Sequence, residues 1–122
     1  MSWVDDAIAE FGRSLGLPDL QLGDQAPINL VFEKSGTLFI ERQESELVLY
    51  VARQVPAHED RWAEAALALC HPRQRWPLPV RAGLRGDDTL VLIARLPERE
   101  VSVPALQSAV ELLFRLHDKA AA

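Results

Sequence analysis

Three histidines, His58, His71 and His117, and one cysteine, Cys70, are the side chains of this sequence best suited to nucleophilic or metal chemistry. The run "HED" at 58 to 60 begins like the zinc-binding helix of a metalloprotease. A second histidine is required four residues on, and Trp62 stands there. Cys70 and His71 adjoin in the chain just before Pro72. A nucleophile and its base must meet through a hydrogen bond in space, which adjacency in sequence does not supply. Cys70 therefore reads as a small buried residue at a helix end, and such thiols are usually inert. Asp87 and Asp88 are a pair of carboxylates, but "GDD" between two strands is ordinary turn chemistry. The glycines fit neither G-x-x-x-x-G-K-[ST] nor G-x-G-x-x-G, so no phosphate cradle is indicated. No catalytic residue, cofactor or metal ion is expected. One alternative stays open: a small α+β enzyme using Asp87, Asp88 or Cys70 with a histidine brought near by folding.

The bulk of the chain points the same way. At 122 residues, 48% hydrophobic and 25% charged, residues 1–122 make one domain with a real core. A formal charge of −5 opposes non-specific nucleic-acid binding, which depends on neutralising phosphates. A lone cysteine suits a reducing compartment. The opening "MSWVDDAIAEF" lacks the basic and apolar regions of a secretory signal, and "LVLIA" is far too short to span a bilayer. A cytoplasmic protein without stable membrane insertion is expected. Arg73, Arg75, Arg81 and Arg85 cluster around Trp76, either as a patch for an acidic or nucleic-acid partner or as a solvated loop plus outward strand positions.

The elements that position these residues follow from spacing. Ser2 caps a first helix in which Trp3, Ala7, Ile8, Phe11 and Leu15 recur at helical intervals, and Gly16 and Pro18 stop it. Strands are predicted over 28–34, 37–43 and 46–54, joined so tightly that they must be antiparallel neighbours. Pro56 opens a second helix over 57–70, rich in alanine, with Trp62, Ala66, Leu69 and Cys70 as its stripe and Pro72 as its end. A hairpin over 78–97 turns at "GDD". A last helix starts near Pro104, buries Leu106, Ala109, Val110, Leu113 and Leu116, and frays at "HDKAAA". The order α-β-β-β-α-β-β-α gives a single α+β domain, an antiparallel five-stranded sheet with three helices.

The strands carry apolar residues on both faces. Leu47, Leu49 and Val51 alternate with Val48, Tyr50 and Ala52, and Leu90, Leu92 and Ala94 alternate with Val91 and Ile93. Either the helices divide between the two faces, or they share one and a partner covers the other.

In this order and spacing the chain resembles the class I chaperones of bacterial type III secretion, most closely the SycN type. The resemblance rests on "MSW" opening the first helix, "SGTL" at 35 to 38 and "LYVAR" at 49 to 53. It continues through "LPVRAG" and "LVLIARLPER" in the hairpin to "VPALQSAVELLFRL" at the end. It implies a non-enzymatic subunit that dimerises, with itself or with a YscB-like partner chaperone. The pair would hold the N-terminal region of a YopN-like gatekeeper in the cytoplasm, at or near the inner face of the export apparatus. The implied dimer contact uses Trp62, Ala66, Leu69, Val80 and Ala82. The implied cargo contact uses Ile8, Val31, Phe39, Val48 and Tyr50. The loop "CHPRQRWP" matches no family pattern, which leaves its arginines unassigned. A dimeric scaffold domain that binds no export cargo is the remaining alternative.

Overall fold

The computed structural model describes residues 3–18, 20–22, 27–55, 61–71, 76, 78–86 and 88–121. The expectations placed on Ser2, Pro56, residues 57–60 with His58, Pro72, Arg73, Arg75 and Asp87 lie outside them.

Helix α1 (Trp3–Ser14) has Asp5 and Asp6 in its first turn and Arg13 in its last, each sign matched to the helix dipole. Val4, Ala7, Ile8 and Phe11 form its buried row. Trp3 and Leu15, expected on that stripe, are exposed by 57% and 39%. Trp3 lies one step around the helix from Val4, which takes the core position instead. Leu15 lies beyond the helix end, where Gly16 turns the chain at φ 78°. The Leu17 N–H then donates to the Gly12 carbonyl at 2.8 Å and the Gly16 N–H to Arg13 at 3.0 Å. This pair of bonds satisfies the last carbonyls of the helix.

Five strands follow: β1 (Ile28–Phe32), β2 (Gly36–Gln43), β3 (Glu46–Gln54), β4 (Val80–Arg85) and β5 (Thr89–Pro97). They form one antiparallel sheet in the order β1-β2-β3-β5-β4. The predicted meander and hairpin are both present, with β1 ending at Phe32 rather than at 34. The hairpin docks through β5 against β3, which puts β3 at the centre. Helix α2 (Arg61–Leu69) lies between β3 and β4 in the chain, and α3 (Val103–Ala121) closes it. Ser102 caps α3, its hydroxyl accepting from the Ala105 N–H at 3.1 Å.

The register sorts the strand residues into rows. Leu30, Leu38, Val51, Leu92 and Ala82 are successive cross-strand partners, as are Ile28, Ile40, Leu49, Ala94 and Val80. These rows share one hydrophobic core with the buried residues of α1, α2 and α3. The helices therefore stand on a single face, and the other face carries none of the described helices.

Helix α3 is the spine of that core. Leu106, Ala109, Val110, Leu113 and Leu116 are buried as expected. The expected fraying does not occur: the helix runs to Ala121, with His117 and Ala120 also buried. A His117 bond to β3 and an Arg53–Asp118 ion pair of 2.8 Å tie its last turns down.

Candidate protein-binding surfaces

The open face of the sheet is built from the alternate residues of the same five strands. Its central row runs Asn29, Phe39, Tyr50, Ile93, Arg81 across the whole sheet. Phe39 and Tyr50 stack with ring centres 4.8 Å apart and planes 11° from parallel. The next row, Val31, Thr37, Ala52, Val91, Gly83, is mostly small side chains. A Cβ added at Gly83 would meet no atom within 4 Å, so the row ends in open space at the β4 edge.

Two residues of this face, Val48 and Val91, are only 3% and 8% exposed although no described helix covers them. The Arg85 guanidinium lies 5.6 Å from the centre of the Phe39 ring, although β3 and β5 separate their strands. Its long side chain reaches inward across the face and stacks on an aromatic ring. Arg95 turns the other way, pairing with Glu46 at 3.1 Å.

A second apolar surface lies on the helical side, between α2 and β4. Trp62, Ala63, Ala66, Leu67, Ala82, Gly83, Leu84 and Leu90 enclose a groove of about 270 Å³. Leu67 and Leu84 stand 67% and 59% exposed. Alanines at 63 and 66 keep the α2 wall low, so the apolar floor stays accessible.

Among the described residues with chemical potential, Cys70 and His71 border one hollow, and neither Asp88 nor His117 lines it. The Cys70 thiol is pushed up in pKa by burial, which disfavours the thiolate. It lines a hollow of about 320 Å³ with His71, Trp76 and Arg81, and the Trp76 indole N–H donates to the Leu69 carbonyl at 2.6 Å. His117 is buried and bonded to the Val51 backbone carbonyl. Among the described residues no group of three or more His, Cys, Asp or Glu could hold a metal ion, and no helix is long and apolar enough to cross a membrane.

Of the residues expected at a dimer contact, Trp62, Ala66 and Ala82 meet in the α2–β4 groove, while Leu69 and Val80 are not among its lining. Trp62, Ala66 and Val80 are buried within their own fold. Of the residues expected at a cargo contact, Val31, Phe39, Val48 and Tyr50 all lie on the open face. Ile8 does not: it is fully buried in the core. Leu67 and Leu84 were missed. Leu67 falls off the Trp62–Ala66–Leu69 stripe and Leu84 sits between Gly83 and Arg85, and an apolar residue flanked in this way signals exposure.

Comparison with known proteins places these surfaces in context. The family described as type III secretory system chaperone SycN matches residues 3–121. The chaperone protein SycN of Yersinia enterocolitica is 37% identical over 122 residues, covering 98% of this chain and 97% of that one. Among solved structures, the ExsC–ExsE complex superimposes with a TM-score of 0.75 at 17% identity, over 95% of this chain and 89% of the other. The heterodimeric ExoU–SpcU complex of Pseudomonas aeruginosa gives 0.69 at 22% identity, over 96% and 93%. At that identity the structural likeness concerns the fold.

Proposed function

The chain belongs to the SycN family of type III secretory system chaperones, and from that premise we propose that it is one subunit of a pair that holds an export cargo. Proteins of this family are chaperones rather than enzymes. The cargo in this reading is the N-terminal region of a YopN-like gatekeeper, and the second subunit is a YscB-like chaperone. The pair works in the bacterial cytoplasm, meeting the export apparatus at its inner face. A second copy of the same chain is the alternative partner.

The observation that carries the reading is the open sheet face, with stacked Phe39 and Tyr50 at its centre and no described helix over it. Large apolar areas on small proteins mark protein-binding sites. The α2–β4 groove, on the opposite side of the sheet, serves the subunit contact, so cargo and partner do not compete. An extended cargo segment on the sheet face is covered without folding, which keeps it from aggregating and leaves it ready for export. Such a mechanism is binding alone, and it needs neither nucleotide nor cofactor.

The test is co-purification of the tagged protein from its native cytosol, with mass and stoichiometry of what accompanies it. A second small acidic protein together with a larger protein bound through its N-terminal region is the expected result. A homodimer that carries no cargo would leave only a dimeric domain.

A further inference from the structure

Three arginines, Arg81, Arg85 and Arg95, project onto the open face from β4 and β5, on a chain whose net charge is −5. Arg95 is occupied by Glu46 at 3.1 Å. Among the described residues Arg81 makes no ion pair. Among the described residues Arg85 likewise makes no ion pair; it stacks on the Phe39 ring, a contact that a carboxylate would displace at little cost because a partly exposed cation–π contact is weak. Of the opposing charges, Glu41 stands on β2 and accepts a bond of 2.6 Å from Gln43, Glu46 is engaged with Arg95, and Glu100 lines the hollow that Arg81 borders. The half of the face toward β4 is therefore locally basic, beside an apolar centre.

Along β4, Arg81 and Arg85 flank Gly83 on one face of the strand, four residues or about 13 Å apart. Gly83 leaves open space between them. A strand's side chains repeat on one face every second residue. An extended segment laid along β4 thus brings one side chain to each arginine and a third to the gap between them.

We propose that the open face selects an extended segment in which two acidic residues four positions apart bracket an apolar one, its carboxylates pairing with Arg81 and Arg85 and the apolar side chain midway between them resting over Gly83 on Val91, beside Ile93 and Tyr50. The proposal rests on the reading that this face holds cargo, and it adds the charge of the segment held. Elsewhere the acidic chain repels such a segment, so the basic half-face fixes where it lands as well as how tightly.

The test uses the full-length protein and three fluorescein-labelled synthetic peptides that carry glutamate, glutamine or lysine at two positions four residues apart, with leucine midway between them and serine at the intervening positions. Binding is read by fluorescence anisotropy at low and high salt, with Arg81→Glu/Arg85→Glu and Tyr50→Asp variants beside the wild type. The expected result is roughly tenfold tighter binding of the glutamate peptide than of the lysine peptide, as two partly exposed ion pairs supply. High salt weakens that preference and the double arginine variant reverses it. Equal affinity for all three peptides, abolished by Tyr50→Asp, overturns the acidic preference while the cargo face stands. Binding unaffected by Tyr50→Asp, or none at all, overturns both. A change of oligomeric state in either variant by sedimentation velocity makes a second copy the occupant, and also overturns the proposal.

Discussion

The Nε2 of His117 lies 2.7 Å from the carbonyl oxygen of Val51, which joins the last turns of α3 to the central strand. A carbonyl only accepts, so Nε2 carries the proton and Nδ1 is left bare. Nδ1 is buried without a hydrogen-bond partner among the described residues. Burial pushes the His117 pKa below its ordinary 6.5. The Val51 bond and Asp118 oppose that shift, and Arg53 adds to it. The folded protein thus binds this proton less readily than the unfolded chain. Its contribution to stability is complete above about pH 6.5 and is lost as pH falls through the lower folded value. Urea denaturation between pH 8 and pH 5 should show stability falling on the acid side. His117→Gln, which keeps a donor to Val51 but does not titrate, should reduce that slope. An unchanged slope in the variant would assign the acid sensitivity to other groups.

The α2–β4 groove yields a cleaner interface test than its most prominent residue does. Trp62 is 8% exposed within its own fold. Trp62→Glu would bury a charge in the monomer and confuse misfolding with dissociation. Leu67 and Leu84 already face solvent in the single chain. Leu67→Asp and Leu84→Asp should change monomer stability by no more than about 0.5 kcal/mol. They should nevertheless dissociate the subunit pair in sedimentation equilibrium. Pairs that survive both substitutions would place the subunit contact elsewhere.

Gly36 opens β2 at φ 106°, and a Cβ added there would lie 2.5 Å from the Ala52 carbonyl oxygen. Both the left-handed backbone and the rigid neighbour oppose any side chain. Gly36→Ala should cost about 1–3 kcal/mol, the scale of a strained backbone conformation. It should also loosen the β1–β2 hairpin, visible as faster amide exchange at Val31 and Phe32. Gly83→Ala is the control, because its Cβ meets open space. Equal losses at the two positions would remove the steric explanation.

How much of this was legible in the sequence depended on the range of the interactions involved. Alternation in β3 and β5 divided Leu47, Leu49 and Val51 from Val48 and Tyr50 correctly, because a strand's period is fixed by its own backbone. Short connectors likewise specified the meander and the hairpin. The pairing of β3 with β5 was not legible, since it joins segments separated by α2 and depends on which faces pack best. The face taken by the helices was undecidable for the same reason: both sides of the sheet are apolar. Ile8 shows the limit at the site. Its spacing marked an apolar helix position, and only the packed fold distinguishes a core residue from a surface one. The end of α3 was misread because its anchors, Val51 and Arg53, lie more than sixty residues away in the chain.

Cys70 offers the most direct test of the reading against catalysis. A nucleophilic cysteine needs a depressed pKa, from a nearby cation, a helix N-terminus or a hydrogen-bonded base. Cys70 lies just after α2, at the negative end of the helix dipole, which disfavours a thiolate. Burial raises its pKa further. Labelling by a maleimide or a disulfide reagent at neutral pH should therefore be slower than that of a free thiol in a peptide. The rate should rise with pH without a plateau below the ordinary thiol range. Unfolding in urea should remove the difference, because burial causes it. A labelling rate above the peptide's, levelling off near pH 6, would instead show a stabilised thiolate and revive nucleophilic chemistry at the end of α2.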